Sequence, residues 1–324
     1  MRSRPTLSRR ARPQHGAALL TAMIIVTLVA TLASAMVWQQ WRAVQVESAE
    51  RARAQSAWIL SGALDFAKLI LREDLRGGKP FTALTEPWAT PLAESRLSTF
   101  LAIDKSNADD GPEAFLSGHI ADVQARYNLT NLVIPSAGTA AAKIAPLELE
   151  ALARLCQTLG IETGVADRIA GGLRDAIAAP TGAAPLRPQS VAQLRWLGVD
   201  AAAVQALQPY VVLLPVPTPV NVNTASKEVL AAAIKGMDPA SAERLVQMRQ
   251  RAPFKDLKSF TDQIAAFAPI TANLDVKSSF FEVRGRLRLV DRVLVERSLV
   301  QRLPSGQVNV LQRERVASLE QGGA

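Results

Sequence analysis

Residues 17–37 read AALLTAMIIVTLVATLASAMV, twenty-one positions without a charged side chain. A helix rises about 1.5 Å per residue and about 20 residues cross the hydrocarbon core of a bilayer, so this run predicts one membrane-spanning helix. Trp38 and Trp41 follow it, and indoles prefer the headgroup region. The sequence has no proline and one glycine between residues 17 and 76. We therefore expect the helix to continue outside the membrane as one rod of about 90 Å.

The segment before this run, residues 1–16, contains five arginines and no acidic residue. Positive charge beside a span stays in the cytoplasm, so the bulk of the chain is expected on the other side of the membrane. Two alternatives stay open. Residues 33–35 (Ala-Ser-Ala) fit the cleavage site of a secretory signal, although the apolar run is longer than the usual ~7–15 residues. The run also fits a plain uncleaved anchor.

The charge of the whole chain is dominated by this N-terminal segment. The formal net charge is +8, from 37 basic and 29 acidic residues; without the five leading arginines, 32 basic and 29 acidic residues leave +3. The rest of the chain therefore lacks the strongly basic composition of many nucleic-acid-binding proteins. Cys156 is the single cysteine, so it forms no intramolecular disulfide, and its place in an apolar run predicts a buried, unreactive side chain.

The pattern after the long helix predicts an α+β fold. The Gly-Gly-Lys-Pro sequence at residues 77–80 ends the helix, and residues 81–112 read as loop with short helical pieces. Residues 115–134 predict a strand pair or a strand followed by a turn. After residue 277, apolar and charged residues alternate, which is typical of an antiparallel meander with one polar, arginine-rich face. Such a sheet needs an apolar cover, and we expect the outer half of the long helix to supply it.

From residue 146 to about 275 the pattern is helical. Gly160, Gly198 and Gly236 each end one helical run and precede another, at intervals of 38 residues. This spacing predicts three helical hairpins whose turns hold glycine in the left-handed conformation and whose apolar faces are buried by stacking. Chance spacing of common glycine caps is the alternative.

These patterns divide the chain into seven segments. They are a leader (1–16), the membrane-spanning part of the helix (17–37), its outer part (38–76), the first part of an α/β head (77–145), an inserted all-α domain (146–275), the antiparallel strands that complete the head (276–316) and a polar tail (317–324).

The sequence offers few residues for chemistry. It has two histidines, His15 and His119, and one cysteine, and it lacks the common nucleotide-binding and hydrolase motifs. We therefore predict that the protein is not an enzyme and binds no organic cofactor. Asp104, Asp109 and Asp110 lie in one acidic stretch, whose hard oxygen ligands make calcium the candidate ion.

The junction of Gly16 and Ala17, followed by an apolar span and a long amphipathic helix, resembles the leader of type IV pilin-like proteins. The resemblance implies that prepilin peptidase cuts after Gly16 and that Ala17 becomes an N-methylated N-terminus. Most members of that family have glutamate at the fifth mature position, where this chain has Thr21. The K-type minor pseudopilins of type II secretion systems are the ones known to lack that glutamate.

Residues 122–132 are the most specific signal in the chain. They are similar to a stretch written D-x-Q-G-R-F-N-L-N-N-L in K-type pseudopilins, with Ala125 and Thr130 as departures. The matching residues are Asp122, Gln124, Arg126, Tyr127, Asn128, Leu129, Asn131 and Leu132.

The resemblance implies a structural and assembly protein, a minor pseudopilin that forms the tip of the periplasmic pseudopilus and initiates or caps its assembly for export of folded proteins. It implies a single pass through the Gram-negative inner membrane, with the N-terminus in the cytoplasm and the C-terminal domain in the periplasm. The implied partners are the I-type and J-type minor pseudopilins, the H-type, the major pseudopilin, prepilin peptidase and the secreted proteins. K-type relatives bind calcium after the first hairpin, where this chain keeps only Asp175.

Residues 222–257 give an alternative, because they resemble the helix-hairpin-helix of DNA-binding modules, whose turn presents backbone amides to a phosphate. The turn at residues 234–238 reads IKGMD, so an aspartate replaces the second glycine where the phosphate would approach. Arg244, Arg249 and Arg251 either contact a DNA backbone or belong to a solvated helix face. The alternative function is a membrane-tethered DNA receptor, although the overall charge does not favour nucleic acid as a partner.

Overall fold

A computed structural model describes residues 15–97, 114–135, 142–178, 186–265, 267, 273–289 and 292–316. The α-helices are α1 (His15–Arg76), α2 (Pro146–Thr158), α3 (Gly164–Ala178), α4 (Ala201–Leu207), α5 (Lys227–Ala233), α6 (Pro239–Arg251) and α7 (Leu257–Thr261). The strands are β1 (Leu92–Arg96), β2 (Ala114–Asp122), β3 (Tyr127–Asn128), β4 (Val133–Ile134), β5 (Lys143–Ile144), β6 (Val211–Val212), β7 (Val220–Asn221), β8 (Leu274–Asp275), β9 (Phe280–Leu289), β10 (Arg292–Arg302) and β11 (Val308–Val316). Short 3-10 helices lie at Pro87–Ala89, Val123–Ala125, Leu129–Leu132, Val191–Leu197 and Asp262–Ile264.

The chain divides into two units, Met1–Trp58 and Ile59–Ala324. The described part of the first unit is the N-terminal portion of α1, which runs without interruption to Arg76, as the sequence predicted. Its apolar side chains are exposed, for example Leu19 at 67% and Ile25 at 57%. The helix is long and apolar enough to cross a membrane, and so extensive an apolar surface is suited to a lipid environment.

The second unit is built on a five-stranded antiparallel sheet with the order β1-β2-β9-β10-β11. Strands β9, β10 and β11 form the predicted meander, and β2 pairs antiparallel with β9. Residues 114–134 take the alternative of one long strand followed by turns. The interpretation of residues 81–112 as loop and short helical pieces was wrong for β1, because the sequence of this short, mostly exposed edge strand shows no clear alternation.

The outer part of α1 covers one face of the sheet, as predicted. Leu60, Leu64, Ala67 and Leu71 are buried against apolar side chains that recur at every second position of the strands. The strand residues in these clusters include Leu116, Ile120, Phe281, Val283, Leu287 and Val300. Burial of each such leucine contributes about 1.5–3 kcal/mol, so this interface holds the helix on the sheet.

A pair of glycines lies beneath α1, where Gly118 of β2 is paired directly with Gly285 of β9. A Cβ atom added at Gly285 would lie 3.3 Å from Cδ2 of Leu60, whose flexible side chain can move. A Cβ atom added at Gly118 would lie 2.6 Å from the carbonyl oxygen of Arg284, which belongs to the backbone of the neighbouring strand. Glycine at position 118 therefore allows β2 and β9 to approach closely under the helix.

Three helix pairs lie between residues 146 and 251, and each turn contains one of the predicted glycines. Gly160, Gly198 and Gly236 have φ angles of 67°, 78° and 79°, the left-handed region that favours glycine. Asp200 and Asp238 cap the helices that follow the second and third turns. The prediction of left-handed glycine turns is confirmed, and the first arm of the second hairpin is a 3-10 helix.

We call residues 146–275 the helical segment. Its core contains fully buried leucines such as Leu155 and Leu194, together with Cys156. Burial raises the pKa of the Cys156 thiol to about 11, so the cysteine is the unreactive core residue that the sequence predicted.

The helical segment also contains three two-residue strands, which its helical pattern did not indicate. Strand β6 pairs in parallel with β3, and β7 pairs in parallel with β8. Tyr127, Leu129 and Leu132, which precede the segment in sequence, belong to the same hydrophobic core. The segment is therefore packed continuously with residues 122–132.

We predict that Gly118→Ala destabilises the protein by about 1–3 kcal/mol, because the strands must separate to admit the new Cβ atom. The measurement is urea unfolding of the full-length chain in detergent micelles. Gly62→Ala is the matched control, because Gly62 lies within α1 and, apart from its chain neighbours and the backbone of its own helix, no atom lies within 4 Å of the added Cβ. The control is expected to stabilise the helix by up to about 1 kcal/mol, and equal stability of the two variants would contradict the prediction.

Candidate functional site

The motif residues 122–132 lie where β2, the helical segment and the chain entering β9 meet. Strand β2 ends at Asp122, and two 3-10 turns follow. Each turn begins with a side chain that accepts a hydrogen bond from the backbone nitrogen two residues later: Asp122 from Gln124, and Asn128 from Thr130. These turns replace regular strand pairing and place polar side chains in the interior.

Asp122 is the centre of this region. Its Oδ1 accepts a hydrogen bond from the backbone nitrogen of Gln124 at 2.8 Å. Its Oδ2 accepts from the hydroxyls of Thr224 and Ser278, both at 2.6 Å, and from Nδ2 of Asn221 at 2.9 Å. One carboxylate thus joins the end of β2 to the helical segment and to the start of β9. We call Asp122 and these three side-chain partners the Asp122 junction.

The Asp122 carboxylate is buried, and no lysine or arginine pairs with it among the described residues. Burial raises its pKa above the usual range, while the hydrogen bonds from Ser278, Thr224, Gln124 and Asn221 act in the opposite direction. A buried carboxylate without hydrogen bonds would be strongly unfavourable. The four hydrogen-bond donors therefore offset the cost of burying an aspartate side chain at this position.

A buried ion pair connects the junction to the end of α1. Arg302 donates from Nη1 to Oδ2 of Asp74 at 2.7 Å, and each of the two side chains is 6% exposed. Its Nη2 donates to the carbonyl oxygen of Ser278 at 3.2 Å and to Oγ1 of Thr82 at 3.1 Å. The guanidinium carbon also lies 4.8 Å from the ring centre of Phe281. The pair is almost completely buried but well hydrogen-bonded, which is the arrangement that makes a buried charge tolerable.

Gln124 and Arg126 extend the contact toward β9. Gln124 donates from Nε2 to the carbonyl oxygen of Pro219 at 3.0 Å and accepts at Oε1 from the backbone nitrogen of Ser279 at 2.7 Å. Arg126 pairs with Glu282 at 3.3 Å. The Gln124 amide therefore bridges the helical segment and the sheet with both of its ends.

Asn128 and Asn131 hold residues 214–218 of the helical segment. Asn128 accepts at Oδ1 from the backbone nitrogen of Leu214 at 3.2 Å and donates to the carbonyl oxygen of Val216 at 2.8 Å. Asn131 and the backbone of Thr218 exchange two hydrogen bonds, at 2.9 and 3.0 Å. The side-chain amides of Asn128 and Asn131 thus serve as hydrogen-bond partners for backbone groups of residues 214–218, which have no regular secondary structure.

The remaining motif residues fill the core of the helical segment. The Tyr127 hydroxyl donates to Oε2 of Glu148 at 2.7 Å, and burial raises the pKa of Tyr127 well above its usual value. Leu129 and Leu132 are fully buried. Seven of the eight motif side chains are buried and Arg126 is partly buried. The geometry supports a mechanical function of the motif, which is to hold the helical segment on the sheet.

The structure brings the eight predicted motif residues together and adds partners that the sequence did not reveal. These partners are Asp74, Thr82, Asn221, Thr224, Ser278 and Arg302. A signal for two of them was present, because residues 220–224 read VNVNT and place polar side chains in an apolar run. Asp74 and Arg302 lie 228 positions apart, so no local pattern connects them.

Other predicted sites stand apart from the junction. Gly16 and Ala17 lie in the first turn of α1, where the Thr21 hydroxyl donates to the carbonyl oxygen of Ala17 at 2.6 Å. Asp175 pairs with Arg174 at 2.8 Å. The described ranges contain no cluster of three or more metal-ligating side chains.

The candidate calcium ligands, Asp104, Asp109 and Asp110, lie outside the described residues. His119 lies on β2, and its side chain is exposed.

In the hairpin of the DNA-binding alternative, the side chains of Asp238 and Arg249 are engaged within the fold. The Asp238 carboxylate accepts a hydrogen bond from the backbone nitrogen of Ser241 at 2.9 Å, so it takes the place where a phosphate would bind. Arg249 donates to the carbonyl oxygen of Val222 at 2.6 Å and is 7% exposed, and burial lowers its pKa to about 10. The expectation of a solvated helix face was wrong for Arg249, whose guanidinium replaces a backbone partner inside the fold.

Comparisons with known proteins agree with this geometry. Family profiles described as type II secretion system (T2SS), protein K match residues 125–216 and 220–278. The chain is 32% identical to the type II secretion system protein K of Pseudomonas aeruginosa, over 96% of this chain and 95% of the relative. It is 30% identical to the protein of the same name from Klebsiella pneumoniae, over 88% of this chain and 93% of the relative.

A solved structure shows the same fold. The match has a TM-score of 0.64 at 20% sequence identity and covers 83% of this chain and 99% of the other. That chain comes from the crystal structure of the GspK-GspI-GspJ complex of the type 2 secretion system of enterotoxigenic Escherichia coli.

We predict that Asp122→Asn lowers the free energy of unfolding by about 2–4 kcal/mol. The amide keeps one acceptor oxygen, but its NH2 group faces a hydrogen-bond donor in either orientation: the backbone nitrogen of Gln124 or Nδ2 of Asn221. The measurement is urea unfolding of the full-length chain in detergent. Asp175→Asn, at an exposed ion pair, is the control and is expected to change stability by less than about 0.5 kcal/mol. Similar losses in both variants would refute the central position of Asp122.

Proposed function

The chain belongs to the type II secretion system protein K family, and we propose that it forms the tip of the pseudopilus in that system. The observation that carries the proposal is the match with the Pseudomonas aeruginosa protein over 96% of this chain. We further propose the I-type and J-type minor pseudopilins as its direct partners, because the similar solved chain comes from a complex with GspI and GspJ. The H-type, the major pseudopilin, prepilin peptidase and secreted proteins are the wider set of expected partners.

The Asp122 junction supports a capping function. A cap blocks the addition of another subunit only if its bulk stays fixed relative to the sheet, because a mobile domain would swing aside. The hydrogen bonds of Asp122, Gln124, Asn128 and Asn131 connect the helical segment to the sheet and to residues 122–132 at several separate points. Several buried contacts of this kind favour one orientation. The helical segment, as an inserted domain, is then the part that prevents further stacking.

The residue at the fifth mature position fits the same assignment. A pilin-like subunit inside the fibre uses a glutamate to neutralise the N-terminal amine of its neighbour, whereas a tip subunit has no preceding neighbour. The Thr21 hydroxyl bonds within its own helix at 2.6 Å and needs no partner subunit. A carboxylate without a partner would be unfavourable in the bilayer. Thr21 is therefore suited to a subunit at the tip.

The same assignment sets the topology and the chemistry that we expect. The N-terminus lies in the cytoplasm, one helix crosses the inner membrane, and the second unit lies in the periplasm. The protein assembles and does not catalyse a reaction. Calcium, at Asp104, Asp109 and Asp110, is the one ion that the sequence proposes.

We predict that the full-length chain, co-expressed with I-type and J-type pseudopilins, elutes with both from size exclusion in detergent. Immunogold labelling of sheared pseudopili is expected to mark one end only, because a capping subunit has no position along the shaft. The major pseudopilin, labelled in parallel, is the control and is expected along the whole length. Labelling of this chain along the shaft would contradict the tip position.

We predict that mass analysis of the protein from cells with an active prepilin peptidase shows a chain that begins at Ala17 and carries one added methyl group. Cleavage after Gly16 removes the arginine-rich leader, so the intact N-terminal peptide is expected to be absent. Cells that lack the peptidase are the control and should retain residues 1–16. A mature protein that begins at Met36 would instead indicate an ordinary secretory signal.

A further inference from the structure

The face of the sheet that is turned away from α1 carries a row of basic side chains. Residues of β9 alternate, so Val283 and Leu287 face α1 while Arg284, Arg286 and Arg288 face the other side. The helical segment contacts this outer face at one end, where Leu299 packs beside buried residues including Phe280 and Leu214. The side chain of His119, paired directly with Arg284, is exposed, whereas Val295, paired with Arg286 across β10, is 2% exposed.

Three arginines on or beside this face already have carboxylate partners. Arg288 pairs with Glu94 at 2.9 Å, and its guanidinium lies 4.0 Å from the ring centre of Phe115. Arg126 pairs with Glu282 at 3.3 Å. Arg297 forms an ion pair with Glu314.

Arg284 and Arg286 differ from these three. Within the described ranges neither makes an ion pair or a side-chain hydrogen bond, and Nε of Arg286 is buried without an acceptor. They are two positions apart on one strand, so their Cα atoms are about 6.8 Å apart on the same face. Arg297, the residue paired with Arg284 across β10, is neutralised by its ion pair with Glu314 and adds no free charge. We call Arg284 and Arg286 the open arginine pair.

The open arginine pair adjoins a cleft of about 400 Å³ between the sheet and the helical segment. On the sheet side, Arg297 and Glu282 line the cleft. Arg297 is paired with Arg284 across β10, and Glu282 lies two positions before Arg284 on the same face of β9. Ser190 and Val212 line it on the side of the helical segment. A chain that crosses the outer face along β9 would pass the arginine pair and end in this cleft.

We propose that this face is a docking surface for an extended acidic segment of another protein, whose carboxylates pair with Arg284 and Arg286. Charge complementarity carries the argument, because Arg284 and Arg286 are partly exposed cations that no carboxylate among the described residues neutralises, and a carboxylate would form charge-assisted hydrogen bonds with their accessible guanidinium nitrogens. Carboxylate is the anion favoured here because Glu94, Glu282 and Glu314 serve the neighbouring arginines on the same surface. The proposal does not depend on the position of the protein at the pseudopilus tip.

The test uses the full-length chain in neutral detergent and a fluorescent peptide of five Glu-Ser repeats. In an extended peptide, glutamates at every second position are about 6.8 Å apart, which matches the spacing of the open arginine pair. We expect fluorescence anisotropy to show saturable binding that is weakened about tenfold or more in Arg284→Ser/Arg286→Ser. A peptide of Gln-Ser repeats is expected not to bind.

Two further double variants distinguish specific binding at Arg284 and Arg286 from nonspecific attraction of the peptide to positive charge. Arg195→Ser/Arg251→Ser removes the same charge from exposed positions of the helical segment and is expected to change the affinity by less than about twofold. Arg284→Lys/Arg286→Lys keeps the charge and is expected to retain most of the binding, with folding of each variant checked by circular dichroism. Equal losses in the Ser variants at both places would overturn the proposal, as would absence of binding to the unaltered chain.

The same experiment also distinguishes other ligands that could bind this face. If duplex DNA or vesicles of anionic phospholipid displace the peptide and bind more tightly through the same two arginines, the partner is a phosphate and the proposal fails. If the peptide binds only after Asp104→Ser/Asp109→Ser/Asp110→Ser, the acidic stretch of the chain itself occupies the face and the proposal also fails. Binding in the unaltered chain that depends on Arg284 and Arg286 supports it.

Discussion

The second unit depends on one buried carboxylate. Asp122 ends β2, and its two oxygens accept hydrogen bonds from Gln124, Asn221, Thr224 and Ser278. These donors come from three separate parts of the chain, so their correct placement requires that the sheet and the helical segment already have their native arrangement. A hydrophobic contact tolerates small shifts, whereas a buried carboxylate that loses a donor retains the full unfavourable desolvation. The aspartate therefore selects one arrangement of the two layers.

The junction also connects two hydrophobic cores that share no residue. One core lies between the outer part of α1 and the sheet, and the other is formed by the helical segment together with residues that precede it, such as Tyr127 and Leu132. Ser278 links them, because its hydroxyl donates to Asp122 and its carbonyl oxygen accepts from Arg302, which pairs with Asp74 of α1. Polar contacts, together with the small apolar cluster around Phe280 and Leu214, fix the relative position of the cores, and apolar burial within each core supplies most of the stability.

This division has consequences for function. The helical segment is fixed by contacts at one end of the outer sheet face, where Leu299 and Phe280 are packed with Leu214. The rest of that face keeps Arg284 and Arg286 without acceptors among the described residues. A helical segment held at one end of the sheet, with a charged surface beside it, offers two distinct surfaces for contacts with other proteins. The motif thus acts on function indirectly, through the orientation that it imposes.

The sequence by itself determined the elements that depend on local periodicity and backbone conformation. The uninterrupted α1, the meander from β9 to β11 and the glycine turns at Gly160, Gly198 and Gly236 follow from spacing, because helix and strand geometry repeat over a few residues. The motif around Asp122 was identified as a family signal without its physical meaning. Only the tertiary structure decided that meaning, since the long-range partners of Asp122 lie about 100 and 156 positions away in the sequence. The structure also places Arg249 in the interior, where the sequence pattern had suggested a solvated helix face. Long-range hydrogen bonds leave no periodic trace in a sequence, so they are read from the fold alone.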